Sequence, residues 1–183
     1  MFIAQKLRKE NITEYLLYMW QIEDLIRAFN LDIDMINKQI IQHYPVADDE
    51  KKTMHEWYES LIDMMLRENI KKEGHLQINK NTVFQLDEFH ALLLKSGIDP
   101  FYNAKFYQIL PLINQLRSHQ NQNVISDIEI CYNFQYGIML LRMKKAEITP
   151  ETLNAQAEIA NFLVLLAKNF TKYQNGELKF DED

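Results

Sequence analysis

Four glycines and four prolines are all that punctuate 183 residues. A strand-rich fold of this length needs many tight turns, and those turns draw on residues that tolerate positive φ or preset it. So few breakers fit long helices instead. The spacing of apolar residues agrees, because a helical period recurs from end to end and no segment sustains strict alternation of apolar and polar residues. The expectation is an all-α fold: a single compact helical bundle of about seven or eight helices over residues 1–176, followed by an acidic, frayed tail at 177–183.

Composition narrows the class further. A 47% hydrophobic and 11% aromatic chain can bury a core and is not disordered, and one cysteine, Cys131, cannot staple a disulfide scaffold. Twenty Lys and Arg against 26 Asp and Glu give a net charge of -6. That balance argues against nucleic acid, whose binding rests on clustered cations. The most apolar stretch, Ile159 to Ala167, is far shorter than a membrane span, and the first ten residues lack the order of a secretory signal. A cytoplasmic location is expected, with no membrane contact and no cofactor or metal.

Start and stop signals divide the chain. Asn11 with Glu14 caps a helix to about Phe29, Asp32 opens one through Gln42, and Asp48 caps a long one that ends before Gly74. A helix with an uncertain start between Leu76 and Asn81 stops at Gly97. Asp99-Pro100 opens the next, to about Arg117, with Pro111 inside it on the solvent side of a kink. A polar loop at Ser118 to Asn123 leads to a helix from Val124 to Lys145, and Thr149-Pro150 opens the last, to about Gln174.

Sorting each helix by 100° per residue separates solvated from buried polar groups. The helix near 124–145 is apolar around nearly its whole circumference and is expected to be central, which leaves Asp127 and Gln135 partly buried and in need of partners. His90 projects from an apolar face with Asp87 one turn back. A buried histidine beside a carboxylate can serve as general base or metal ligand, or it can be a neutral core residue held by a hydrogen bond. Glu23 lies at the margin of an apolar face, with Arg27 four residues on as its simplest partner. Leu17 and Trp20 fall opposite the main apolar face of their helix, which must then be sandwiched or form an interface. The aromatics Phe101, Tyr102, Phe106 and Tyr107 read mainly as core.

Templates for chemistry fail. A di-metal bundle needs two Glu-x-x-His motifs, and Asp87-x-x-His90 is a single copy with Asp for Glu. His55 and Glu59 fall on a polar face. The five histidines, His43, His55, His75, His90 and His119, are scattered, and there is no phosphate loop or nucleophile elbow.

The run from Arg8 to Ala28, RKENITEYLLYMWQIEDLIRA, together with Glu73-Gly74-His75-Leu76-Gln77-Ile78 and Glu147 to Leu153, resembles a bacterial domain-of-unknown-function family known mainly from anaerobic gut bacteria. The resemblance covers most of the chain and implies a compact, cytoplasmic, helical protein. It carries no site residues onto positions here. The reading favoured for function is a non-enzymatic helical interaction or scaffold module, self-associating or binding a protein partner, with Leu17 and Trp20 at the interface. The alternative is a small-molecule or metal-binding bundle, an enzyme in one form, with a pocket formed by His90, Asp87, Glu23, Asp127 and Gln135.

Overall fold

The computed structural model describes residues 2–118 and 125–180. His119, most of the expected polar loop, the start at Val124 and the last three residues of the tail lie outside the described residues. Among the described residues there are eight α-helices and one short 3-10 turn, Ile41–His43, and no strand. The helices are α1 (Phe2–Glu10), α2 (Ile12–Ala28), α3 (Ile33–Gln39), α4 (Asp48–Arg67), α5 (Gln77–Ser96), α6 (Pro100–Ser118), α7 (Asp127–Met143) and α8 (Pro150–Gln174).

The expected caps mostly hold. The Asn11 side chain accepts from Thr13 N–H, Asp32 from Met35 N–H, Asp99 from Tyr102 N–H and Thr149 from Thr152 N–H. At α4 the cap is Ala47 rather than Asp48, and Glu50 reaches back to accept from its N–H at 3.2 Å.

Helix ends explain how the chain manages with so little glycine. After α2, Asn30 N–H bonds to Arg27 O and Leu31 N–H to Ile26 O, and after α4, Asn69 N–H bonds to Leu66 O and Ile70 N–H to Met65 O. Lys145 and Ala146 repeat the pattern after α7, and Gly176 and Glu177 after α8. Each is a Schellman closure with a left-handed residue at C′, filled twice by asparagine, once by lysine and once by glycine. The stop expected at Gly74 is therefore misplaced. The α4 helix ends at Arg67, because Asn69 takes the positive φ (57°) first.

Contacts group the residues into two units: Met1–Glu10 with Glu14–Asn81, and Asn11–Thr13 with Thr82–Asp183. In the first, α3 packs on α4 and on the 3-10 turn. Leu16, Ile26, Ile36, Ile41, Tyr58 and Met65 are wholly buried. In the second, α6, α7 and α8 pack pairwise. The broad apolar character of α7 is matched by burial at Ile130, Cys131 and Tyr132, three consecutive positions that point in three directions. Tyr132 shares a 3.0 Å hydrogen bond with the Thr13 hydroxyl, which also donates to Leu163 O.

Helix α6 runs unbroken through Pro111, which is exposed as expected. Proline lacks an N–H, so the Tyr107 carbonyl is without its usual intrahelical donor. Replacing Pro111 by alanine is expected to restore that bond and to raise stability by about 1–3 kcal/mol; a urea midpoint that does not move upward would refute this.

Candidate functional site

Two clusters of buried polar groups stand out, one in each unit. The first is built on Glu23, in the middle of α2, whose side chain has no solvent exposure. Its carboxylate accepts from His75 Nδ1 at 2.6 Å, from Leu76 N–H at 2.9 Å and from Asn79 Nδ2 at 2.7 Å. Leu76 and Asn79 sit at the start of α5, where helix N–H groups have no intrahelical acceptor. Glu68 fills the same role for Gln77 N–H at 2.7 Å. Glu23 is therefore a helix cap supplied from 53 residues away in sequence, and the positive end of the helix dipole favours its charge. The His75 ring stacks on Trp20, with centroids 4.1 Å apart and planes 16° from parallel.

The expected Glu23–Arg27 pair does not form. Arg27 bonds to Asp24 at 2.8 Å and turns its other nitrogen to the carbonyls of Ile70 and Gly74, binding the 68–76 loop to α2. Arg27 is itself largely buried and meets the more exposed Asp24 at i,i+3, whereas Glu23 is drawn inward by three donors.

The second cluster surrounds His90 on α5. Its Nδ1 shares a 2.5 Å hydrogen bond with the Tyr102 hydroxyl, and the rings of Phe106 and Phe162 lie 4.6 and 5.8 Å away in edge-on packing. Burial holds the imidazole at a pKa of about 4, against a smaller opposing pull from Asp127. His90 is thus a neutral core histidine. One turn back, burial pushes the Asp87 carboxyl up to about 6; hydrogen bonds from the Ser126 side chain and the Ile128 backbone act against this, while nearby Glu129 and Asp127 add to it. Asp87 and Ser126 together cap α7, Ser126 by accepting from Glu129 N–H at 3.0 Å.

Of the five residues proposed from sequence, Asp87, His90 and Asp127 share one region of the second unit. Each is taken by its own partner: Asp127 forms an ion pair with Arg117, which also donates to Ile125 O at 2.8 Å. Gln135 lies two turns farther along α7 and exchanges hydrogen bonds with Gln156 of α8, at 2.8 and 3.3 Å. Glu23 belongs to the first unit. Among the described residues no group of three or more His, Cys, Asp and Glu is placed to hold a metal ion.

Trp20 is 2% exposed, so of the two alternatives for a helix apolar on two sides it is the sandwiched one that applies there; Leu17 is half-buried. Two of the exposed aromatic rings lie instead on α6. Phe101 is 82% exposed and Tyr107 63%. Ala104, Gln108, Pro111, Asn114, Gln115 and Ser118 complete one outward stripe, and none of the eight is charged. The two cations of α6 are neutralised by ion pairs off the stripe's centre: Lys105 with Glu158 at 2.5 Å, at the edge where both meet the Gln108 amide, and Arg117 with Asp127. Helical phase places all eight within about 140° of arc. Phase alone would have found this stripe, but aromatic residues after Pro100 read as core; Tyr102 and Phe106 are, and Phe101 and Tyr107 are not. His75 and Asn79 gave no such signal, because they act from a loop and a helix start.

No described helix is long and apolar enough to cross a membrane. No curated protein and no solved structure matches the chain. A family described as "Domain of unknown function (DUF4924)" matches residues 1–177, nearly the whole length and all eight helices, and the chain belongs to that family.

Proposed function

We propose that this protein is a non-enzymatic helical interaction module that self-associates through the outward stripe of α6. The observation that carries the reading is a helix face with two exposed aromatic rings and no charge, on a chain whose net charge is -6. Monomeric proteins seldom leave large contiguous apolar patches in water. Two copies of an acidic chain repel over most of their surface, so a charge-free stripe is the surface where they can meet. A two-fold contact brings a patch against itself, and Ala104 between Phe101 and Tyr107 leaves a low point for a ring of the second copy. Support for the non-enzymatic part comes from the buried titratable groups: Glu23, Asp87 and His90 each spend their hydrogen bonds on caps and core contacts.

One helix of 19 residues is about 28 Å long, and its face alone falls short of the roughly 1,200–2,000 Å² buried by stable complexes. Association is therefore expected to be weak, in the micromolar range. Sedimentation of the purified chain across that range should show a monomer–dimer equilibrium. Phe101→Glu with Tyr107→Glu should raise the dissociation constant by about a hundredfold, with helical content unchanged because both rings are exposed. A wild-type chain that stays monomeric at high micromolar concentration, or a double variant that dimerises as before, would overturn the reading.

A further inference from the structure

A groove of about 200 Å³ lies in the first unit among α1, α2, α4 and the first turn of α5. Its floor is apolar, made by Met19, Leu61 and Met64, and its rim carries the exposed polar side chains of Gln5, Arg8 and Ser60. The Arg8 guanidinium sits 5.6 Å from the centre of the Tyr15 ring, itself 5% exposed and part of the same wall. That stacking holds the cation over the groove at low cost. Glu10, two residues on and on the opposite side of α1, is 3.9 Å from Lys6, and among the described residues no acid pairs with Arg8.

We propose that this groove is a binding site for a small monocarboxylic acid with an apolar body, its carboxylate on Arg8 and its hydrocarbon on the floor. Size, charge and donor chemistry converge on that class. The volume is below the roughly 300–1,000 Å³ of sites for drug-sized ligands, which suits a single medium-length hydrocarbon chain or one ring. One guanidinium flanked by a neutral amide and a hydroxyl balances a single negative charge. Its planar fork matches the two oxygens of a carboxylate, while a phosphate dianion would be left half neutralised. The floor supplies affinity by removing the acid's hydrocarbon from water. Nothing in this assignment depends on the α6 stripe.

Calorimetric titration of the full chain with octanoate tests it. The expected result is saturable binding of one octanoate per chain, with 1-octanol about tenfold weaker or worse because it lacks the charge. Arg8→Met keeps the apolar stem and should erase that difference. Ser60→Trp fills the mouth from an exposed position and should weaken octanoate by about tenfold without touching the core. Circular dichroism should show both variants folded as the wild type. Four results would overturn the proposal: no saturable heat, octanol binding as tightly as octanoate, displacement of octanoate by inorganic phosphate at equal concentration, or discrimination retained in Arg8→Met.

Discussion

Glu23→Leu is expected to destabilise the protein by about 3–5 kcal/mol, a large share of the roughly 5–15 kcal/mol that holds a typical domain folded. Leucine fits the volume, so the loss is electrostatic. It strips the acceptor from Leu76 N–H, from the Asn79 side-chain amide and from His75 at once. Asn79 is wholly buried and its own side-chain oxygen already lacks a hydrogen-bond partner among the described residues, so it has no second arrangement to fall back on. Glu23→Gln keeps one carbonyl acceptor but sets its amide against donors, and should cost less, about 1–3 kcal/mol. The readout is the urea midpoint at constant slope. Pairing Glu23→Leu with His75→Leu should recover part of the loss, because an imidazole left facing an apolar side chain is removed with its partner. A cost below about 1 kcal/mol for Glu23→Leu would mean that α5 starts without this cap.

The second large effect is in acid, where two buried groups on α5 oppose each other. His90 has a folded pKa of about 4, against about 6.5 when unfolded. As the pH falls from 6.5 towards 4 the unfolded chain takes up a proton that folded His90 refuses, so stability falls, by about 3 kcal/mol in all. Asp87 has a folded pKa of about 6, against an ordinary value of 3.8. Between those values the folded chain holds a proton that the unfolded chain has lost, so stability rises as the pH falls through the same window. The wild type should therefore be nearly flat in stability between pH 6 and 4 as far as these two groups decide it. Asp87→Asn should expose the His90 loss as a steep decline, and His90→Gln should leave the opposite slope. Parallel urea melts of the three proteins across that window are decisive. If His90→Gln loses stability on acidification as Asp87→Asn does, His90 is not the group that resists protonation.

How much of this was legible varies from element to element, and the variation has a physical cause. Asp32, Asp99 and Thr149 cap their own helices through bonds spanning three residues, so the starts of α3, α6 and α8 can be read from local sequence. The start of α5 cannot: its N–H groups are satisfied by Glu68 and Glu23, 9 and 53 residues away. The end of α4 was misread because asparagine, rather than the later glycine, took the left-handed position. For the candidate site, periodicity placed His90 in the core and Asp127 near burial, but it could not choose their partners. Tyr102, Arg117 and the start of α7 come together only when α5, α6 and α7 pack.

By itself, then, the sequence determined the all-α class, the number of helices, most of their ends and the apolar breadth of α7, because 3.6-residue periodicity and capping are local and survive without tertiary contacts. Tertiary structure alone decided which polar residues are spent on the fold and which face is left over. Glu23 passed from a local pair with Arg27 to a distant cap, Trp20 went inward onto His75, and Phe101 and Tyr107 were left outside. The reason is that hydrogen-bond satisfaction and burial are settled between elements, at distances in sequence that no periodicity records.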